Sequence, residues 1–311
     1  MTSIEAREPN RREILRAERA FANRYWGGVE IRIIVEFLVS ATIWTAVIVL
    51  GILGVIPLWL GLVINSIVAS TFYMPMHEAA HGNIMGRHRG TKFIEELIGS
   101  LCAIPLGFPY KPHRSSHMRH HAHTNDPLRD PDHFTAGPMA GVLTAWLGQV
   151  MLITFLPVFV LVPPARRLIP KRMQLSMAAG GDKRDGLRQL RFWFLTTAVL
   201  VLAFVTGFGW PALLLWYLPA RLQALWLLFI FAWYPHHPAN RIGRYENTRI
   251  AVFPGSGLLI RGHDHHAVHH LFPRVPHYRL AALWQDIAED MVEKGVRCEG
   301  SATASTGPII W

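Results

Sequence analysis

The chain has 311 residues, of which 51% are hydrophobic and 17% charged, with a formal net charge of +10 and a mean hydropathy of +0.22. That balance is too apolar for an ordinary soluble protein and points to a membrane protein. The basic residues flank long apolar segments, the pattern of loops obeying the positive-inside bias, so a nucleic-acid partner is not expected. Two cysteines, Cys102 and Cys298, lie far apart and outside metal-type spacing, which leaves no disulfide framework and no cysteine-based metal site.

In chain order, residues 9–25 predict a basic surface helix, with Ile14, Leu15 and Phe21 among Arg11, Arg12, Arg16 and Arg19. The polar first thirty residues contain no short apolar core, so no cleaved signal peptide is expected. Residues 33–54 form an apolar run of 22, enough to span a bilayer at about 1.5 Å per residue. A second span covers 57–76 and ends in "MHEAAHG". The stretch 93–109 is short and broken by Gly and Pro, which suits an interface rather than a crossing. A polar, His-rich block follows at 110–135. Residues 139–163 are apolar but contain Pro157. Residues 164–191 read as a basic loop carrying Arg166, Arg167, Lys171, Arg172, Lys183, Arg184, Arg188 and Arg191. Two further spans cover 192–208 and 211–233. Residues 277–294 predict an amphipathic helix, and 299–311 a disordered tail. The expected organisation is a cytoplasmic basic helix over 1–32, a membrane domain over 33–298, and the tail.

The histidines repeat one geometry. His77 and His81 are i, i+4; His117, His120 and His121 are i, i+3, i+4; His266, His269 and His270 repeat that spacing. These offsets place each set on one helix face, aimed at one point. Solvation at a membrane interface explains an isolated pair better than three sets. "HEAAH" matches the zinc-protease pattern with Glu78 as general base, but a catalytic zinc takes about three protein ligands and leaves two boxes unexplained. A His-rich metal transporter would want polar residues mid-span, and the spans have nearly none. Imidazole also suits iron, copper and nickel, and eight or nine rings divide between two metals.

HxxxH, HxxHH and HxxHH, in this order and between spans, resemble the membrane fatty acid desaturase superfamily of desaturases, carotenoid hydroxylases and ketolases. "HEAAHG", "HRSSHMRHHAHTN" and "HHLFPRVPHYRL" carry the resemblance, over roughly residues 33–285. It implies two non-haem iron ions, O2 as co-substrate and C–H oxidation on a lipid. It makes His77, His81, His117, His120, His121, His266, His269 and His270 metal ligands. It also aligns "YPHHPAN" with the family's additional histidine, which makes His236 a ligand ahead of its neighbour His237. No catalytic residue beyond the ligands is implied. The family's Gln-Asn-Tyr before the third box is here His263, Asp264 and His265. His263 and His265 are then either partners that orient ligand rings or polar residues of a solvated loop, and Asp264 could accept a ligand's second N–H. His113 and His123 could lie near the second box, and Asp126, Asp130 and Asp132 could support ligands or turn the chain. His88, His133 and His277 read as surface or interface residues.

All ligands of one centre must lie on one membrane face. If 139–163 crossed, the basic segment after it would face outward and the third box would land opposite the other two. The expected fold is therefore all-α: four transmembrane helices, a re-entrant or surface hairpin bent near Pro157, and a cytoplasmic helical cap holding the histidines. The expected function is an O2-dependent oxidoreductase of a bacterial inner membrane, most simply an acyl-lipid desaturase. A carotenoid or other isoprenoid hydroxylase or ketolase is the alternative. Without a fused redox segment in this chain, electrons are expected from a ferredoxin, rubredoxin or cytochrome.

Overall fold

The computed structural model describes residues 11–180 and 182–300. Pro9 and the tail from 301 onward lie outside the described residues. The helices are α1 (Arg11–Ala22), α2 (Ile31–Ile52), α3 (Leu58–Thr71), α4 (Tyr73–His81), α5 (Phe93–Leu106), α6 (Tyr110–His123), α7 (Ala140–Thr154), α8 (Leu156–Leu161), α9 (Lys171–Gly180), α10 (Lys183–Val205), α11 (Gly209–Ala212), α12 (Pro219–Leu227), α13 (Ser256–Leu259), α14 (His266–Leu271) and α15 (Leu280–Glu293). Two short parallel strands, β1 (Arg249–Val252) and β2 (Arg297–Gly300), pair Ile250 with Cys298.

Among the described residues, four segments are long and apolar enough to cross a membrane: Ile31–Ile52, Leu58–His81, Lys183–Val205 and Gly209–Trp233. Their outer faces carry exposed apolar side chains such as Leu38, Ile67, Val199 and Leu202. α3 and α4 run on as one segment to His81, where Gly82, at φ 72°, ends the helix in the left-handed conformation that a Cβ disfavours. The last segment is widened by π turns at Leu213–Tyr217 and Leu228–Trp233, a distortion that often marks functional stretches of helix.

The broken segments behave as their Gly and Pro content dictates. α5 stops at Gly107 (φ 77°), and α6 leaves it at 99°. α7 stops at Thr154, and Pro157 sits in the first turn of α8, where its missing N–H costs no hydrogen bond. The basic stretch 164–191 is a correction to the sequence reading. It is not a loop but a 3-10 turn, α9 and the start of α10. Asp182 caps α10 by accepting from the Asp185 N–H at 2.9 Å. The boundary of the tail also moves, since Glu299 and Gly300 belong to β2.

One apolar core joins α2, α4, α5, α6 and the end of the fourth long segment, through Ile33, Phe72, Met76, Ile98, Leu106 and Ile230. A second, including Ile250, Val268, Leu271, Leu283, Trp284 and Met291, packs α14 against α15 and the strands. The two are bound together at one end of the long helices. Arg279, just before α15, donates from Nη2 to Glu30 Oε2 at 3.1 Å, and Asn83 Nδ2 donates to the Pro273 carbonyl at 3.0 Å. α1 docks there too: Glu18 accepts from Tyr245 at 2.7 Å and from Lys294 at 3.0 Å.

Candidate metal centre

The helix order brings every histidine set to that same end. α4 supplies His77 and His81, α6 supplies His117, His120 and His121, and α14 supplies His266, His269 and His270; His236 emerges just past the fourth long segment. All nine residues expected from the sequence meet, in two groups. His77, His81, His117, His121 and His269 form one; His120, His236, His266 and His270 form the other. Within each group the facing nitrogens lie within 4.8 Å of one another.

The contacts are between ring nitrogens. In the first group His81 Nε2 lies 2.9 Å from His117 Nε2, His77 Nε2 is 3.1 Å from His269 Nε2, and His121 Nε2 is 3.1 Å and 3.0 Å from those of His117 and His269. In the second, His266 Nε2 lies 3.0 Å from the Nε2 atoms of both His236 and His270. A hydrogen bond between two neutral imidazoles needs an N–H on one and a lone pair on the other. Nitrogens converging in groups of five and four cannot all satisfy one another in this way. A shared cation resolves the conflict: nitrogens roughly 2.1 Å from one ion stand about 3.0 Å apart at right angles. The donor set therefore fits two metal ions.

The local electrostatics agree. Burial pushes the imidazoles of His117, His121, His236, His266, His269 and His270 well below the usual histidine range, and neighbouring rings push the same way. They are neutral with lone pairs free, the form a metal binds. His120 is the exception. Burial lowers it, but the Asp130 carboxylate outweighs burial and raises it to about 9. Its Nδ1–H donates to Asp130 Oδ1 at 2.8 Å, and a metal would take Nε2 by displacing the proton that the raised affinity holds there. Asp130 also accepts from the Asn125 and Asp132 N–H groups at 2.7 Å and 2.8 Å, which fixes it. His270 Nδ1 meets Thr124 Oγ1 at 3.2 Å. Nδ1 of His77, His121, His236 and His266 finds no partner among the described residues.

Several neighbours differ from the sequence reading. His263 is buried, so it is not part of a solvated loop. It packs between the groups, its ring centroid 4.9 Å from those of His77 and His266 and 4.5 Å from that of Phe231. Asp264 does not serve a clustered imidazole; it accepts from Ser256 Oγ at 2.6 Å and pairs with His265 Nδ1 at 2.9 Å. His237 packs against Trp233 with the rings tilted and belongs to neither group. His113 is stacked on His117 at 5.6 Å. His277 is a correction: far from being a surface residue, it is buried, with Nδ1 3.0 Å from Glu78 Oε1 and Nε2 3.5 Å from Glu36 Oε2. Glu78 is thereby committed to His277 and to Asn83 Nδ2 at 2.5 Å, which removes it as a free general base. Of the three aspartates, Asp130 contacts a clustered ring directly, while Asp126 binds Arg129.

A cavity of about 130 Å³ opens beside the groups, between α6, α7 and the fourth long segment. His117, His120, His263 and His266 form one end; most of the remaining wall is apolar.

The described residues thus combine helices long enough to cross a membrane with a buried, two-part histidine cluster suited to metal, beside a largely apolar cavity. This chain belongs to the fatty acid desaturase family, whose model matches residues 11–301. It is 26% identical over 251 residues to the omega-6 fatty acid desaturase, chloroplastic, of Brassica napus, covering 70% of this chain and 51% of that one. It is 27% identical over 211 residues to the beta-carotene ketolase of Paracoccus sp. (strain N81106 / MBIC 01143), covering 66% and 69%. It is 26% identical over 223 residues to the sn-1 acyl-lipid omega-3 desaturase (ferredoxin) of Synechocystis sp. (strain ATCC 27184 / PCC 6803 / Kazusa), covering 66% and 60%. The chain thus spans about half the length of the plant desaturases it matches.

Proposed function

We propose that this chain is an integral membrane oxidoreductase that uses two histidine-held irons and O2 to oxidise a lipid C–H bond, most simply as an acyl-lipid desaturase. The observation that carries the reading is the convergence of nine imidazoles, in two groups, at one end of an apolar cavity. His77, His81, His117, His121 and His269 would hold one ion, and His120, His236, His266 and His270 the other. Bound irons would supply, with O2 and electrons, the power to take hydrogen from an unactivated carbon.

The protein's own part is placement. Apolar walls at Leu227, Leu228 and Phe231 bind a hydrocarbon and exclude water from the histidine end. Asp130 holds the proton on His120 Nδ1 and thereby keeps its Nε2 directed at the group. Electrons come from a separate carrier; one relative carries ferredoxin in its name, and a rubredoxin or cytochrome would serve the same chemistry. We place the histidine end on the cytoplasmic face of a bacterial inner membrane. The Lys/Arg-rich segments before the first and third long helices support that orientation.

A second reading is favoured by one observation. The match to beta-carotene ketolase covers 69% of that protein, more than the 51% covered of the plant desaturase. Lipid and pigment profiling of a carotenoid-producing host separates the two, with the chain compared against its His266→Ala variant. New double bonds in acyl chains are expected only with the unaltered chain. Oxidised carotenoid with unchanged acyl chains would establish the second reading, and no change in either would overturn both.

A further inference from the structure

A second cavity, of about 460 Å³, lies between α3, α13 and the fourth long segment. Arg221, Ala224, Leu227 and Leu228 turn one face of that segment to the histidine cavity. Leu222, Gln223, Trp226 and Ile230 turn the opposite face to the second. Phe231 lines both, so the two cavities meet at its ring. The second lies at the outer, apolar surface of the long helices: Ile67, Leu222, Trp226, Leu258 and Leu259 belong to its lining and are exposed. It follows the helix for roughly 13 Å, from Phe231 beside His263 to Leu222 near the middle of Gly209–Trp233.

The charge sits at the histidine end. Arg261 is the charged residue among those lining this cavity. Its backbone is left-handed, at φ 48°, a conformation that an L side chain adopts at a cost and that clusters at functional sites. Among the described residues its hydrogen bond runs from Nη1 to the Thr71 carbonyl, at 3.1 Å. Glu36, the carboxylate whose charge acts on it, is held instead by Arg32 at 3.1 Å and by His277 at 3.5 Å. A guanidinium has five N–H donors, so most of its capacity is left for a ligand. The nearby hydroxyls of Ser66, Ser70 and Thr71 donate within α3, to the carbonyls of Leu62, Ile67 and Val68, each at 2.7 Å.

We propose that this cavity binds a glycerophospholipid from the leaflet on the histidine side, with its phosphate on Arg261 and an acyl chain along Ile67, Trp226 and Leu222. A guanidinium offers paired N–H groups to two phosphate oxygens. Basic pockets between membrane helices on the cytoplasmic side suit anionic head groups. The polarity also runs as the lipid lies, with charge at the interface end and hydrocarbon toward the bilayer middle. A diacylglycerol has the same chains but brings no charge to Arg261. On the desaturase reading, on which this use of the site rests, a phosphodiester-headed lipid is the class of acyl lipid held beside the histidine cavity. The binding itself is tested without turnover.

The probe is phosphatidylglycerol with dibrominated acyl chains, compared with diacylglycerol carrying the same chains. Both are titrated into the purified full chain in detergent micelles. Bromine quenches tryptophan on contact, and the difference between the unaltered chain and Trp226→Phe reports this cavity. The phospholipid is expected to quench saturably and to bind at least about tenfold more tightly than the diacylglycerol, as a charge-assisted contact implies. Arg261→Gln should reduce that preference to within about twofold, and Arg261→Lys should restore part of it. Glycerol 3-phosphate in excess should not displace the lipid; displacement would show a phosphate site without an acyl groove and overturn the proposal. Equal binding of the two lipids would also overturn it, as would an Arg261→Gln variant that keeps the preference. Should Arg261→Gln fail to fold, Ser70→Phe fills the same cavity. Saturable quenching of Trp226 must then be lost, and retained quenching would overturn the proposal. A chain that binds the phospholipid here but holds no iron and oxidises no lipid would sink the functional reading and leave this site standing. A chain that desaturates acyl lipids without this preference would sink the site alone.

Discussion

Replacing His277 should destabilise the protein by several kcal/mol, although it lies outside the histidine groups. Its ring is buried between Glu78 and Glu36, with Nδ1 3.0 Å from Glu78 Oε1, and its backbone N–H donates to the same oxygen at 2.8 Å. Burial by itself would lower the imidazole, but the hydrogen bonds to Glu36 and Glu78 outweigh it and raise it to about 9. At neutral pH the ring is therefore a cation facing two carboxylates. His277→Ala removes the cation and leaves the buried Glu78 uncompensated, a change that costs about 3–5 kcal/mol. The pH dependence gives a second estimate. A folded-state value of about 9 against the ordinary 6.5 corresponds to roughly 3 kcal/mol. The value is raised on folding, so this stability is fully present below pH 6.5 and is lost as pH rises through about 9. Denaturant unfolding in detergent, from pH 6 to pH 10, should show that loss in the unaltered chain and little of it in His277→Ala. The double variant Glu78→Gln/His277→Leu should recover much of the loss, because removing both members spares the lone charge. A cost below about 1 kcal/mol for His277→Ala would refute the reasoning. So would stability that rises between pH 6.5 and 9 relative to the double variant.

In a chain lacking Cys102 and Cys298, cysteines placed at the exposed positions Lys183 and Arg274 should react only from the cytoplasmic side; reaction of Lys183→Cys from outside intact cells would refute the α7–α8 hairpin. Asp130→Asn should weaken metal retention on the order of 10–100-fold, measured by chelator competition, and an unchanged value would remove Asp130 from its orienting role. His236→Ala should lose iron while His237→Ala and His263→Ala retain it. Iron loss from His263→Ala equal to that from His266→Ala would mean that this chain uses a different ligand set.

The histidine sets were legible because i, i+3, i+4 spacing fixes which side chains share a helix face, whatever the tertiary fold. The long apolar segments were legible from hydropathy alone, with ends displaced by a few residues where the helices continue into polar sequence. At Lys183–Arg191 the run of charge belongs to a helix and not to a loop. Lysine and arginine are good helix formers, and Asp182 provides the cap that starts α10. Other features needed the fold. β1 and β2 are four residues each and pair across more than forty residues of intervening chain, with no local pattern long enough to announce them. Glu78 and His277 stand 199 residues apart, so neither the burial of His277 nor the engagement of Glu78 could be read locally. Asp126, Asp130 and Asp132 look alike in the sequence. Only the return of the 124–132 turn under α6 sets Asp130 against His120.

We propose that the nine converging imidazoles hold two irons. Metal analysis of the purified chain, with Mössbauer spectra of protein grown on 57Fe, tests it most directly. The expected result is about two irons per chain, with iron lost when His77, His120 or His266 is replaced by alanine. Active protein with one tightly bound zinc and no iron would contradict it.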